Sequence, residues 1–221
     1  MTVGDLVHDP GRVGPGVVRD AAWVEEGAGW FWRRTLPPDL ATYLDAALHG
    51  EHRRVEEAAD ATDLAGCRGA AERLLDRLDL EPGTERDRLA DDLVRLGGEL
   101  AARVGVARVL LRLERSLGGS CPVFHQDNKV LRLLCTYAGA GTEWLREADL
   151  DRSELGLRGR TPDVANWAIA RGTPVRAQRG EVVLARGARS AGGRGGLVHR
   201  SPPASSGPRL LLVVDPVEGH P

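Results

Sequence analysis

Lysine is almost missing from this chain: of its 30 basic residues only Lys129 is not an arginine. The arginines are interleaved with 32 acidic residues, to a net charge of −2. No unbroken basic face therefore invites nucleic acid, and bulk charge names no other partner. Cysteine is scarce too. Cys67, Cys121 and Cys135 leave one thiol unpaired in any disulfide scheme and form no C-x-x-C pair, which fits reduced thiols in the cytoplasm. No window reaches the roughly 20 apolar residues that a bilayer span needs. The opening MTVGDLVHDPGRVGPG lacks the basic-then-apolar order of a secretory leader, so no membrane partner is expected. Methionine occurs once and phenylalanine and tyrosine twice each; with abundant Arg, Ala and Gly this has the look of a GC-rich coding sequence and carries no mechanism. A length of 221 residues gives room for one main core with a helical annex and excludes three independent units.

Five tryptophans are present, three of them in AAWVEEGAGWFWRRTL, residues 21–36, a stretch too aromatic for a disordered tail. From LPPDLATYLDAALHG onward apolar residues recur at three and four (Leu40, Tyr43, Leu44, Ala47 and Leu48), with Pro37 and Pro38 near a helix start. GCRGAAERLLDRLDL and TERDRLADDLVRLGGELAARVG continue the stripe; Thr84 offers a cap and Gly83 and Gly105 bracket the second of them. The spacing predicts helix over roughly 37–104. After Gly105 come short branched runs bounded by Gly, Pro or Ser: VARVLLRLE, KVLRLLCTYAG, GTPVRAQ, GEVVLARG, GLVHRSP and PRLLLVVDP. They predict an antiparallel sandwich or small barrel, not βαβ units. RLLLVV is apolar on both faces, as expected where one face looks into a barrel and helices cover the other. GARSAGGRGG reads as a flexible loop. The fold class is thus α+β, with residues 1–104 an aromatic segment and helical layer and 105–221 a β core, within one compact unit.

Two residues ahead of Asp127, in CPVFHQDNKVLRLLCTY, stands His125. On an extended strand the two point to the same side, with Cα atoms about 6.6 Å apart, and bonds of ~2.1 Å let one divalent ion take both. The other histidine of the β half before the C-terminal tail is His199, in GGLVHRSPP. Two histidines and one carboxylate form the facial arrangement of non-haem Fe(II) oxygenases, leaving positions for O2 and a chelating cosubstrate. Arg209, ten positions after His199 and opening RLLLVVD, could grip a carboxylate bidentately inside an apolar barrel. The competing reading has His125 and Asp127 bonded within a loop and Arg209 paired with a surface carboxylate; the combined spacing disfavours it. A zinc set of Cys121, His125, Asp127 and His199 is a further alternative, although cysteines more often pack as small apolar groups.

His-x-Asp, a distal His and an Arg ten residues later resemble the Fe(II)/2-oxoglutarate dioxygenase superfamily, as does the QRGEVVLARG run before the distal His. The resemblance implies a double-stranded β-helix, the cupin-like jelly roll, with His125, Asp127 and His199 as iron ligands and Arg209 as the anchor for 2-oxoglutarate. A closer likeness joins CPVFHQDNKVLRLLCTYAGAGTEWL, GLVHRSPP and RLLLVVD with FWRR and LPPDLATYL: the chain is similar to bacterial proteins of domain-of-unknown-function family 1826, over roughly 105–216 and that opening. The family supplies no settled reaction. Asn128-Lys129 and Ala138-Gly139-Ala140 depart from the residues expected there, so no substrate contact is carried over.

Around the triad, Lys129 and Arg132 are candidates for an anionic substrate or for a solvated strand end. In strict alternation Lys129 shares the side of His125 and Asp127 and Arg132 does not, unless a turn at Asn128 resets the register. Tyr137 and Trp144 are candidate substrate contacts, though for Trp144 and Trp167 core packing is favoured. His8, His49, His52 and His220 have no partner pattern. The expectation is an oxidoreductase that uses Fe(II), O2 and 2-oxoglutarate to hydroxylate, desaturate or cyclise a small polar substrate, as monomer or homodimer. Its alternatives are an Fe(II) oxygenase whose substrate itself ligates iron, and a non-catalytic zinc or iron site.

Overall fold

A computed structural model describes residues 23–190 and 195–217. The sequence opening, His8, His220 and the middle of the GARSAGGRGG loop lie outside the described residues. The aromatic segment folds as a hairpin of β1 (Trp23–Glu26) and β2 (Gly29–Trp32). Gly27, at φ 61, takes the left-handed conformation at the first of its two loop residues, which a two-residue hairpin loop requires. Helix α1 (Pro38–Ala46) starts with its proline at a position where the missing N–H costs nothing. Helices α2 (Leu64–Arg77) and α3 (Thr84–Val104) follow. Asp63 caps α2 by accepting the Gly66 N–H, and Gly105 ends α3 at φ 77. Thr84 is the first helical residue and not the cap; Gly83 precedes it without a side-chain bond.

The prediction that roughly 37–104 is helical needs one correction. Strand β3 (Arg53–Asp60) lies inside it and pairs along its whole length with β4 (Arg108–Ser116). Val55 and Ala59 are its two buried positions; on their face Glu57 pairs with Arg73 and Arg77 of α2 and Arg53 with Asp79, while Arg54 and Glu56 pair with each other on the opposite face. Charged side chains of this kind suit an edge strand, and β3 is one edge of the large sheet.

Among the described residues every strand pair is antiparallel. The large sheet has seven strands in the order β1-β2-β8-β5-β10-β4-β3, where β5 is Leu131–Ala138, β8 Val182–Arg186 and β10 Arg209–Pro216. The small sheet runs β7-β6-β9, from Val175–Arg176, Glu143–Trp144 and His199–Arg200. The chain alternates between them: β4 large, the 121–125 segment against β9, β5 large, β6 and β7 small, β8 large, β9 small, β10 large.

Period-two alternation divides the core. Leu210, Leu212 and Val214 face the helices with Leu40, Leu74, Leu93 and Leu133. Leu211 and Val213 face the small sheet with Phe31, Leu134, Trp144 and Val183. Apolar side chains on both faces of β10 are thus buried, as its sequence requires. A short helix, α4 (Pro162–Ile169), contributes Ile169 to a third cluster with Phe124, Leu145 and Val198, where it packs on the segment leading to His125. No helix among the described residues is long and apolar enough to cross a membrane.

Candidate metal centre

His125 and His199 are joined by backbone before they are joined by chemistry. The His125 N–H donates to the His199 carbonyl at 3.0 Å and the His199 N–H donates back at 2.9 Å, bringing the ring centroids within 4.7 Å. The same ladder continues through the Ser201 N–H, donated to the Cys121 carbonyl, and the Cys121 N–H, donated to Ser201 Oγ. Asn166 of α4 staples the outer side: its Oδ1 accepts the Phe124 N–H at 2.9 Å and its Nδ2 donates to the Pro122 carbonyl at 2.8 Å. Asp127 lies in the turn before β5, not on a regular strand as the spacing argument assumed. The Ala188 N–H donates to its carbonyl. Gly187 is what allows this approach, since a Cβ there would come within 2.0 Å of the Lys129 carbonyl oxygen.

The ligand atoms converge. Asp127 Oδ1 is 3.8 Å from His125 Nε2, Asp127 Oδ2 is 3.4 Å from His199 Nε2, and one ligand atom from each residue fits within a 4.8 Å cluster. Each Nδ1 lies against a carbonyl, of Val123 at 2.9 Å and of Leu197 at 3.1 Å. A carbonyl only accepts, so the proton sits on Nδ1 and the Nε2 lone pair is free to bind a metal. Burial, only partly offset by the Asp127 charge, pushes the His199 imidazole down to about 4 and so keeps it neutral and ready to ligate. Asp127 Oδ2 is buried and has no hydrogen-bond partner. An unpaired buried carboxylate oxygen 3.4 Å from the Nε2 lone pair of His199, with the His125 Nε2 beside the same carboxylate, is costly as it stands and suited to a divalent cation. The residues present fit a two-histidine, one-carboxylate metal site. Cys121 is exposed and outside this group, so the four-ligand zinc set is not assembled.

Beyond the triad, Arg209 opens β10 and is 3% exposed. Its Nη2 donates to Ser201 Oγ at 3.0 Å, while Nε and Nη1 have no partner. Among the described residues no carboxylate forms an ion pair with it. Burial lowers its pKa, opposed in part by Glu114, yet a guanidinium stays charged.

The chain belongs to the DUF1826 family. The model of that family, described as a protein of unknown function, matches residues 21–215. No curated protein matches the chain. Among solved structures it is similar to the C-terminally truncated Neurospora crassa protein NcT7HdeltaC in apo form, at 12% identity over 83% of this chain and 73% of that one, TM-score 0.37. The full-length form of the same Neurospora crassa protein, in complex with alpha-KG, gives 13% identity over 84% and 66%, TM-score 0.38. A bsmA homolog from Methylobium petroleophilum PM1 gives 14% over 90% and 78%, TM-score 0.36. Likeness at these TM-scores carries no argument about activity.

In this DUF1826 member the remaining candidates scatter. The turn at Asn128 does reset the register, and Arg132 points toward the triad: Nη1 donates to Asp127 Oδ1 at 2.7 Å, and Nε and Nη2 clasp Asp215, both at 2.7 Å. Its guanidinium is occupied by protein carboxylates, which corrects its assignment to substrate. Tyr137 is corrected as well: it is fully buried on the helical side of the sheet, where its hydroxyl donates to Asp92 Oδ2 at 2.6 Å. Trp144 packs between the sheets, stacked on Phe31 at 4.5 Å, and borders a cleft of about 370 Å³ whose lining includes Arg33, Arg176 and Glu181 but none of the triad. Trp167 is 78% exposed and is not core. Lys129 is half-buried, and its ammonium makes no hydrogen bond or ion pair among the described residues. Asp215, Ser201 and the stapling role of Asn166 escaped the sequence reading. An acid ending the apolar run RLLLVVD was the one local signal available for Asp215.

Proposed function

We propose that this protein is a non-haem Fe(II) oxygenase that uses 2-oxoglutarate and O2 to oxidise a small polar substrate. The observation that carries the reading is the buried, partnerless Asp127 Oδ2, 3.4 Å from His199 Nε2, on a carboxylate whose other oxygen lies 3.8 Å from His125 Nε2. A closed structural zinc site would need a fourth protein ligand, and the clustered group has three members. Three ligands leave coordination positions for exogenous molecules. The repeated passage of the chain between two antiparallel sheets supports the finer fold reading, a double-stranded β-helix with helices on its outer face. In this reading residues 105–221 hold the metal, and residues up to 104 supply the cover and extend the large sheet.

His125, Asp127 and His199 would hold Fe(II), which supplies the activation of O2 and the oxidation of substrate. Arg209 supports the cosubstrate assignment. Its buried guanidinium has Nε and Nη1 unmet and lies beside Ser201, two residues along the chain from His199. Arg209 would hold the far carboxylate of 2-oxoglutarate, for which guanidinium geometry suits a two-bond clasp. Phe31, Trp144, Leu211 and Val213 wall the space between the sheets with apolar surface and exclude water from it. Lys129, two residues after Asp127, offers a cation for an anionic group on the substrate.

The test is an anaerobic sample loaded with Fe(II) and titrated with 2-oxoglutarate. A weak visible charge-transfer band should grow to one equivalent, and succinate should form on admission of O2. Iron binding without the band would remove 2-oxoglutarate and leave Arg209 to hold a carboxylate of the substrate. Stoichiometric zinc after anaerobic purification, with no O2 uptake by the iron-loaded protein, would overturn the oxygenase reading.

A further inference from the structure

Resting on the metal site just proposed, we infer that Arg132, backed by Asp215, is a positioning residue that fixes the Asp127 carboxylate so that a single oxygen, Oδ2, is offered to the metal. Arg132 is the second residue of β5 and Asp215 lies near the end of the neighbouring β10. The side-on clasp to Asp215 uses Nε and Nη2, both at 2.7 Å, and aims Nη1 at Asp127 Oδ1, again at 2.7 Å. Three bonds from one planar group leave the guanidinium little freedom. Asp127 is then held by Oδ1 while Oδ2, itself buried, keeps no hydrogen-bond partner.

Two consequences follow from that geometry. With Oδ1 engaged by a charge-assisted hydrogen bond, the carboxylate is set against chelating the metal through both oxygens, which keeps an extra coordination position open for a small molecule. The rotamer of Asp127 is also set before metal arrives, although this ligand sits in a turn and not on a strand. Rigidity that a strand would otherwise supply comes here from β5 and β10 through a side chain.

Net charge has to be separated from position in any test, because removing Arg132 alone makes the site more negative and attracts a cation more strongly. Two variants hold net charge constant. Arg132→Lys keeps the cation but loses the planar fork. Arg132→Met with Asp215→Leu removes one charge of each sign and replaces a buried pair by apolar groups, a change that buried pairs often tolerate. Metal affinity is read by Mn(II) titration under electron paramagnetic resonance, and folding by the melting temperature of the metal-free protein. Val55→Ala, in the far edge strand β3, controls for a general loss of stability.

Wild-type protein should bind one Mn(II). Both charge-neutral changes should weaken binding about 10- to 100-fold at a melting temperature no lower than that of Val55→Ala, which should itself bind as wild type does. Wild-type affinity in the double variant would overturn the positioning role. So would equal weakening by Val55→Ala. Failure of the wild-type protein to bind any divalent metal would instead sink the proposed metal site, so the two failures are distinguishable.

Discussion

Arg209 shows what an unmet buried cation costs a fold. Two of its guanidinium nitrogens are buried with no acceptor, and each such group forfeits the hydrogen bonds that water would give it. Replacement by an apolar side chain of similar length should therefore help the metal-free protein while harming the site. Arg209→Met is expected to raise the melting temperature, with a gain on the order of 1–3 kcal/mol. In the iron-loaded protein, 2-oxoglutarate binding followed by the charge-transfer band should weaken by about 2–5 kcal/mol, the range for losing one side of a buried hydrogen-bonded charge pair. Destabilisation together with unchanged 2-oxoglutarate affinity would show that Arg209 serves the fold alone. The arginine was legible because a cation opening an otherwise apolar strand breaks the local pattern. The contacts of Arg132 with Asp127 and Asp215 were not legible, since its direction hung on whether the turn at Asn128 kept or reset the register.

At the scale of elements, the runs of the β half were readable because each apolar stretch is punctuated by Gly, Pro or Ser; β5, β7, β8, β9 and β10 each fall within one of them, and β4 runs two residues past VARVLLRLE. Strand β3 escaped because RRVEEAAD has two buried positions and is otherwise Arg, Glu, Ala and Asp, residues of weak strand preference whose place is decided by the partner strand. The H-x-D pair and the distal histidine were visible as motifs. What fastens them was not, because it depends on which segments meet in three dimensions. Asn166 is the clearest case: one side chain satisfies a donor and an acceptor on the segment that delivers His125. Asn166→Ala leaves the N–H of buried Phe124 unmet and should cost about 1–3 kcal/mol in thermal or denaturant unfolding. Because that segment carries the proposed ligand His125, the variant should also bind metal more weakly than wild type. Unchanged metal affinity alongside the stability loss would mean that the β9 ladder positions His125 without help from α4.

For the whole molecule, the central sheet separates two kinds of polar burial. The side toward the small sheet holds Asp127, Arg132 and Arg209, with unmet groups that suit ligands. The side toward the helices holds Arg34, Asp92 and Tyr137, with its carboxylate fully engaged: Arg34 clasps Asp92 at 2.5 and 2.6 Å, Tyr137 donates to the same carboxylate, and Arg34 Nε donates to the Gly180 carbonyl. This network ties the chain after β2, helix α3, strand β5 and the turn before β8 into one body, so its loss should be felt in stability and not in the site. Asp92→Ala leaves a buried guanidinium without its counter-charge and should cost about 3–5 kcal/mol, a large share of the roughly 5–15 kcal/mol of a typical domain. Tyr137→Phe removes one hydrogen bond and should cost about 1 kcal/mol. Below their melting temperatures both variants should bind metal and 2-oxoglutarate as the wild type does, since the sheet stands between the network and the triad. Urea unfolding and metal titration on the same samples check this. A Tyr137→Phe variant that keeps its stability but loses cosubstrate affinity would return the phenol to the substrate-contact role and place the binding cavity on the other side of the sheet.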